Sequence, residues 1–206
     1  MHEPNEPSME QAILEAAERL FLEKGFALAT TTEIARRAGC NQALVHYYFR
    51  TKERLFEAVF EKKARMYITA LLQIGETELP FEEKMRKKIE SHFDMLKENP
   101  KMSFLFLNEL TTNPVRLTSM VEKYGDLPVS VVSQFQAELD KEFAKGRIRK
   151  IEASDLILSI LSLNMILFLI MPILKSMTDL TPEQLDQILE RRKQENVQMI
   201  LRRLEP

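Results

Sequence analysis

The stretch Thr30–Leu55, TTTEIARRAGCNQALVHYYFRTKERL, decides the fold that this sequence predicts. Its first part has the pattern Thr30-x-x-Glu33, a capping box in which the two side chains bond to each other's backbone N–H groups at the start of a helix. Glycine is the residue that most often ends a helix, and Gly39 follows after two turns. The stretch therefore predicts a short helix over Thr31–Ala38.

A second short helix follows after a break of three residues. Asn41 is a favourable N-cap residue, and Thr51 caps the next helix, which starts at Lys52. The helix between these caps, Gln42–Phe49, is about two turns long, so that it must be held by its neighbours. Two short helices with this spacing are typical of a helix-turn-helix.

The second short helix ends in the aromatic run Tyr47-Tyr48-Phe49. Neighbouring side chains on a helix point about 100° apart, so three consecutive aromatic residues cannot all face one core. Val45 and Phe49 are four residues apart and are expected to face inward. His46, Tyr47 and Tyr48 are then expected to face solvent, where large aromatic side chains indicate a binding surface.

Charge is distributed unevenly along the chain. The formal net charge is −2, whereas nucleic-acid-binding proteins are often basic overall. Between Gly25 and Leu55, however, basic residues outnumber acidic ones: they are Arg36, Arg37, Arg50, Lys52 and Arg54, against Glu33 and Glu53. This locally positive segment favours phosphate binding.

The run from Ile13 to Phe60 resembles the DNA-binding domain of the TetR family of bacterial transcriptional regulators. The resemblance is carried by AxxLF, KGF, TEIARRAG and HYYF-RTKE-LF, and it covers about a quarter of the chain. It implies a homodimer that binds a palindromic double-stranded DNA operator. It also implies that the dimer leaves the operator when a small ligand enters a second, all-α domain.

The expected DNA contacts combine this resemblance with side-chain chemistry. Amide side chains such as those of Asn41 and Gln42 can pair with adenine, and tyrosine hydroxyl and imidazole N–H groups can donate to phosphates. For Thr30 and Asn41 the alternative is a capping role alone. The full set is Thr30, Thr31, Asn41, Gln42, Ala43, His46, Tyr47, Tyr48 and Lys52, the last as a phosphate contact at the start of the fourth helix.

Three residues depart from the family's usual pattern. Gln42 stands where lysine is usual, Ala43 where glycine is usual, and His46 where tyrosine is common. The operator sequence therefore cannot be predicted by analogy. The loss of a lysine also predicts a shallower dependence of DNA affinity on salt.

Caps, prolines and apolar periodicity predict an all-α protein of about nine helices. The expected domains are residues 8–52, a three-helix helix-turn-helix domain, and residues 53–206, a helical ligand-binding and dimerisation bundle. The predicted helices are Met9–Lys24, Thr31–Ala38, Gln42–Phe49, Lys52–Ile74, a fifth from Pro80 to Asn99, Lys101–Thr112, Leu127–Lys145, Ala153–Met177 and a last one to Leu204, with Val115–Lys123 a short piece left unassigned.

The segment Leu156–Leu174 contains 19 residues without a charge, which is close to the length of a membrane-spanning helix. It lacks an aromatic belt and a basic flank. We therefore expect a helix buried in the bundle and against a second subunit, with no membrane. The alternatives are a membrane-associated helix and burial by the other helices of the same chain. The predicted dimer residues are Met165, Leu169, Leu185, Ile188 and Met199.

A ligand pocket is expected among the fifth to eighth helices, for an unknown small effector that is apolar or aromatic. Aromatic side chains would line it and a few amide or imidazole groups would orient the ligand. The alternative is that the same side chains form an ordinary core. The candidates are His92, Phe93, Phe104, Asn108, Tyr124, Phe135, Asn164 and Phe168.

Catalytic and cofactor motifs are missing from the sequence. The three histidines are far apart, Cys40 is the only cysteine, and neither a phosphate-binding glycine loop nor a GxSxG elbow occurs. We expect no enzyme, no cofactor and no metal. The polar N-terminus is unlike a signal peptide, so a cytoplasmic protein is expected. The remaining alternative is a cytosolic small-molecule-binding protein or enzyme with a vestigial helix-turn-helix.

Overall fold

The computed structural model describes residues 8–72, 79–124 and 126–206, and this part of the chain is helical without strands. Its ten helices are α1 (Met9–Leu28), α2 (Thr31–Ala38), α3 (Gln42–Phe49), α4 (Lys52–Leu72), α5 (Phe81–Glu98), α6 (Met102–Thr112), α7 (Pro114–Tyr124), α8 (Asp126–Ala144), α9 (Ala153–Met177) and α10 (Pro182–Leu204). The all-α prediction is confirmed. Nine helices are those expected, and the tenth, α7, occupies the segment that was left unassigned.

The predicted helix bounds agree best where a side-chain cap sets them. Thr30 Oγ1 accepts from the Glu33 N–H group at 3.2 Å at the start of α2, and Asn41 caps α3. Gly25 has a non-helical backbone with φ 75° and kinks α1 at the predicted stop, and Phe26–Leu28 form a short helical piece beyond the kink. The predicted end of α4 at Ile74 lies outside the described residues.

The chain divides into two compact units, Met1–Tyr67 and Ile68–Pro206, called unit 1 and unit 2 below. The sequence-based boundary lies after residue 52, the first residue of α4. Unit 1 extends further because the first half of α4 contributes to its core. The ring of Phe56 packs edge-on against Phe21 at 4.9 Å and against Phe26 at 5.0 Å between centroids.

The core of unit 1 follows from the apolar periodicity of its helices. The buried stripe of α1 consists of residues at three- and four-residue spacing, which places them on one face. Ile34 and Ala35 of α2 and Val45 and Phe49 of α3 face the same core. The α1 stripe is Ile13, Ala16, Ala17, Leu20 and Phe21.

The core of unit 2 is built by α5, α8, α9 and α10. Its buried side chains are Met85, Ile89, Phe135, Leu139, Ile148, Ala153, Leu156, Ile160, Val197, Ile200 and Leu204. The loop after α8 is fastened to the end of α10, because the Arg149 N–H group donates to the Leu204 carbonyl at 3.0 Å. In unit 2 the last helix, α10, therefore packs with helices from the middle of the sequence.

Helix α9 (Ala153–Met177) is long and apolar enough to cross a membrane by length and composition, with a mean hydropathy of 2.5 in its most apolar window. Only 33% of that window is buried within the chain. The buried side chains follow helical spacing, among them Leu156, Ile160, Asn164 and Leu167. One face of α9 thus packs in unit 2 while another remains uncovered.

Candidate nucleic-acid interface

Helix α3 is held in unit 1 by its cap and by two buried side chains. Asn41 Oδ1 accepts from the Leu44 N–H group at 3.0 Å, which begins the helix. Val45 and Phe49 are buried. Because α3 has only two turns, these two contacts decide which of its sides faces solvent.

The outward direction predicted for the aromatic run is confirmed. Tyr47 is 69% exposed, Tyr48 is 38% exposed and His46 is exposed as well. The Tyr47 and Tyr48 rings meet edge-on at 5.2 Å between centroids. The two tyrosine rings therefore pack against each other at the surface, in the edge-on arrangement that aromatic pairs prefer.

The N-terminal turns of α2 and α3 are joined by one side chain. Gln42 Nε2 donates to Thr31 Oγ1 at 3.0 Å, and Thr32 Oγ1 donates to Gln42 Oε1 at 3.1 Å. Both polar groups of the Gln42 amide therefore have protein partners. Ala43, the next residue of α3, is exposed.

Lys52, which the sequence predicted as a phosphate contact, has its ammonium group directed at the protein backbone. Its Nζ donates to the carbonyl oxygens of Phe26 at 2.9 Å and Ala29 at 3.0 Å, and a third one, of Ala27, lies at 3.5 Å. An ammonium group has three N–H donors, and all three are directed at backbone. In this arrangement Lys52 supports the connection between α1 and α2, and its contact with phosphate stays a prediction.

The connection between α3 and α4 is a tight turn at Arg50. The Thr51 N–H group donates to the Phe49 carbonyl at 2.7 Å across Arg50, which has φ 64° and ψ −53°. These angles define the γ-turn with positive φ, a rare and strained conformation. Among the described residues Arg50 is the only non-glycine with positive φ.

Ion pairs reduce the number of basic groups that are available to DNA. Arg37 pairs with Glu23 at 2.8 Å, and Lys24 donates to Glu33 at 2.9 Å. The Lys24 hydrogen bond holds the pKa of Glu33 below its ordinary value, and the bond to Glu23 raises the pKa of Arg37. The exposed guanidinium groups without an ion pair in the described part of unit 1 include Arg36, Arg50 and Arg54.

Two predicted pocket residues meet in the interior of unit 2. Asn164 Nδ2 donates to His92 Nδ1 at 3.0 Å and to the Ile89 carbonyl at 2.9 Å. Asn164 Oδ1 accepts from Nδ2 of Asn196 at 2.9 Å, and this α10 residue was not predicted. The three side chains form a buried polar chain that links α5, α9 and α10. Burial lowers the pKa of His92 to about 4, so that its ring is neutral near pH 7.

The other pocket candidates are distributed over several places. Phe93 and Phe168 are buried, and their rings pack edge-on at 5.2 Å between centroids. Phe93 follows His92 on α5, and Phe168 lies one helical turn after Asn164 on α9. Phe135 lies in the core of unit 2 under the Lys88 ammonium, 4.5 Å from its centroid. Phe104 is 63% exposed and Asn108 is exposed. The side chain of Tyr124 lies outside the described part of the structure.

An uncovered apolar surface lies along α9 and α10. Of the predicted dimer residues, Met199 is exposed, while Met165, Leu169, Leu185 and Ile188 are partly buried. Exposed apolar residues of α9 that were not predicted are Leu158, Ile166, Ile173 and Met177. Leu158 and Met199 line an open groove of ≈ 420 Å³, in which Arg203 of α10 donates to Ser159 Oγ and, at 3.4 Å, to the Asp155 carbonyl of α9.

Titratable side chains do not cluster into a metal site in the described part of the chain, where no group of three or more His, Cys, Asp and Glu side chains is arranged to hold a metal ion. Cys40 is partly buried, and this burial raises the pKa of its thiol. The thiol is therefore protonated near pH 7, and Cys40 behaves as a small apolar residue beside the turn.

Comparison with known proteins agrees with this geometry. Residues 13–59 match the family described as bacterial regulatory proteins, tetR family. The chain is 26% identical over 103 residues to the HTH-type transcriptional activator FasR of Mycolicibacterium smegmatis, covering 50% of this chain and 47% of FasR. It is 33% identical over 103 residues, 50% of this chain, to an HTH-type transcriptional regulator of Mycobacterium tuberculosis, covering 49% of it. The chain thus spans about half the length of the curated relatives it matches.

A solved structure extends the likeness in fold to nearly the whole chain. The fatty acid degradation regulator FadR from Bacillus halodurans superposes with a TM-score of 0.63 and 18% identity, covering 96% of this chain and 97% of that one. Identity at this level shows the fold alone. The FadR structure therefore matches the fold of both units. This includes the helical bundle of unit 2, which no sequence motif identified.

Proposed function

We propose, for a chain that belongs to the TetR family of bacterial regulatory proteins, that it is a homodimeric transcriptional repressor released from its operator by a small apolar or aromatic ligand. The observation that carries the proposal is the exposed face of α3, where His46, Tyr47 and Tyr48 face solvent while Val45 and Phe49 anchor the helix in the core.

The chemistry of this face suits double-stranded DNA. A helix of two turns can enter the major groove, and the tyrosine hydroxyls can donate to phosphates while their rings cover sugars and thymine methyl groups. Arg36, Arg50 and Arg54 supply positive charge on the same unit. Phosphate contacts of this kind fix the position of the protein on the duplex, and contacts from the α3 side chains select its sequence.

The uncovered side of α9 supports the homodimer. Monomeric proteins rarely expose large contiguous apolar patches, and the face that carries Leu158, Ile166 and Ile173 needs a partner. A second copy would place its own α9 and α10 there in a two-fold arrangement. Two α3 helices held about 34–36 Å apart would then meet successive major grooves of a palindromic operator.

The buried polar chain supports a ligand site in unit 2. The buried Phe93 and Phe168 place aromatic side chains close to the polar groups of His92 and Asn164, the combination that an apolar ligand with one polar end would need if these side chains moved apart. Asn196 Oδ1 is buried without a hydrogen-bond partner in the described residues, so it is an acceptor that a ligand could use. The likeness to FadR, whose name places it in fatty acid degradation, adds acyl compounds to the aromatic ones that should be tried.

Ligand control would then be a shift between two dimer geometries. A ligand that binds the geometry with the wrong spacing of α3 helices lowers the population that fits the operator. FasR is named an activator, so the test of repression needs a reporter gene in addition to a binding measurement.

The experiment that tests the proposal is selection of duplexes from random DNA by the purified full chain, followed by titration of acyl and aromatic compounds. The expected result is a palindromic consensus bound by two protomers and released by one compound class. A reporter behind the selected operator should rise when the gene is deleted. Binding of every duplex at the same non-specific level would contradict the proposal, and a reporter that falls would contradict the repressor assignment.

A further inference from the structure

The amide of Gln42 is turned toward α2 and bonded at both ends. Its Nε2 donates to Thr31 Oγ1 at 3.0 Å, and its Oε1 accepts from Thr32 Oγ1 at 3.1 Å. Thr31 and Thr32 form the first turn of α2, and Gln42 is the first residue of α3. One side chain therefore ties the N-terminal turns of the two short helices together.

Recognition of adenine by an amide needs both ends of that amide at once. The Nε2–H group must donate to adenine N7 while Oε1 accepts from adenine N6. In this structure both ends already have threonine partners. A Gln42 that pairs with adenine would have to give up these two bonds, whereas a Gln42 that keeps them contributes through the orientation of the helix.

The tie also sets the direction of a hydroxyl group. Thr31 Oγ1 accepts from Gln42, so its own proton is left to donate elsewhere, and Thr31 is partly exposed. A phosphate oxygen beside the first turn of α2 is the acceptor that this proton and the helix N-terminus favour together.

From these contacts we infer that Gln42 is a positioning residue, which fixes the angle between α2 and α3 and directs the Thr31 hydroxyl, and that it does not select a base pair. This inference rests on the proposed function, because it concerns how the same surface binds its operator. It replaces the adenine contact that the sequence predicted for Gln42.

The test uses the full-length chain and the operator selected by the wild type. Gln42→Ala is expected to lower affinity about 3- to 10-fold for the operator and for every single-base variant of it alike, because exposed neutral hydrogen bonds contribute modestly. Thr32→Val removes one of the two bonds of the tie, the one to Gln42 Oε1, and should give a loss that is equally uniform over the base variants and no larger. The double variant should lose no more than Gln42→Ala alone, which already removes both bonds. Thr32→Ser keeps the hydroxyl and is the matched control, expected to bind like the wild type.

A contact to a base pair gives a different pattern. Gln42→Ala would then abolish the preference at one base pair of each half-site, and Thr32→Val would leave affinity unchanged. That result would overturn the inference while the proposed function stands.

A measurement without DNA separates the two proposals. The side-chain amide resonances of Gln42 in the free protein should move in Thr31→Val and in Thr32→Val, and stay in place in Thr32→Ser. Unchanged resonances in both valine variants would overturn the inference, whatever the result of operator selection. Failure of the wild type to bind any selected duplex would instead overturn the proposed function.

Discussion

The ammonium group of Lys52 donates to the carbonyl oxygen of Phe26 at 2.9 Å and lies 4.3 Å from the centroid of the Phe26 ring. The same ring packs against Phe56 of α4. The first residue of α4 thus holds the segment after Gly25 in place, from both its backbone and its ring. The carbonyl groups of Phe26 and Ala29 lie beyond the kink in α1, and the Lys52 ammonium group is a charged hydrogen-bond donor to both.

Replacing Lys52 by methionine should therefore destabilise unit 1. The substitution keeps an apolar stem but leaves the carbonyl groups without their donor, and we expect a loss of about 1.5–3 kcal/mol in the free energy of unfolding. Urea denaturation followed by circular dichroism measures it. Arg54→Met, at an exposed position two residues further, is the matched control and should change stability by less than about 0.5 kcal/mol. A Lys52→Met protein of normal stability that binds DNA with a shallower salt dependence would show that Lys52 contacts phosphate after all.

Arg50→Gly should stabilise unit 1. Glycine adopts positive φ without the steric cost that arginine meets at φ 64°, and the net gain is about 0.5–1 kcal/mol after the entropy of the unfolded chain is counted. Arg50→Ala, which removes the same guanidinium but keeps the Cβ, serves as the control and should show no gain. Equal stability of the glycine and alanine variants would mean that the turn stores no strain.

The buried polar chain makes Asn164 sensitive to substitution. Asn164→Leu removes the buried hydrogen bonds that Asn164 makes to His92 Nδ1 and to one N–H group of Asn196. We expect a loss of about 2–5 kcal/mol in the stability of unit 2, measured by denaturant titration. The same change at an exposed amide, Asn108→Leu on α6, should cost little. A small effect at Asn164 would indicate that the two neighbours find other partners.

The low pKa of His92 predicts a specific pH dependence. Its pKa is about 4 in the folded chain, below the ordinary 6.5, so the unfolded chain binds the proton first as the pH falls. The stabilising contribution of the neutral ring is complete above about pH 6.5 and is lost toward pH 4, at up to about 1.4 kcal/mol per pH unit. In His92→Gln the free energy of unfolding should depend less on pH between pH 6.5 and 5, where few carboxylates titrate. The histidine part of the wild-type slope is then absent. Removal of an exposed histidine by His46→Gln is the control; equal pH slopes for the wild type and His92→Gln would contradict the assignment.

Local patterns were enough to predict unit 1 closely. The caps at Thr30 and Asn41 act through hydrogen bonds within three residues, so the bounds of α2 and α3 can be derived from the sequence. The division of the aromatic run into buried and exposed side chains also follows from helical spacing alone. The hydrogen bonds of Lys52 to the backbone could not be derived from the sequence, because they depend on where the Phe26 carbonyl lies in three dimensions.

Unit 2 was predictable as a set of helices but not as a packing arrangement. Asn196 stands in the polar run RRKQENVQM, where an asparagine resembles a solvated side chain, and only the packing of α10 on α9 shows it to be buried. Helix α9 is apolar on all sides, so its sequence cannot tell the buried Ile160 from the exposed Leu158. Helix α7 begins at Pro114, directly after Asn113, and Gly125 follows its last residue, so both ends carry helix signals in the sequence. Its eleven residues were interpreted as a short piece between longer helices.

The central claim, that the exposed face of α3 contacts an operator, is tested most directly by one comparison. Fluorescence anisotropy measures the affinity of the wild type and of Tyr47→Ala for the selected operator, alongside the free energy of unfolding of both proteins. The account predicts about a 10-fold or greater loss of affinity with unchanged stability, since Tyr47 is exposed and supports no core contact. Equal affinities of the two proteins for the operator would contradict it.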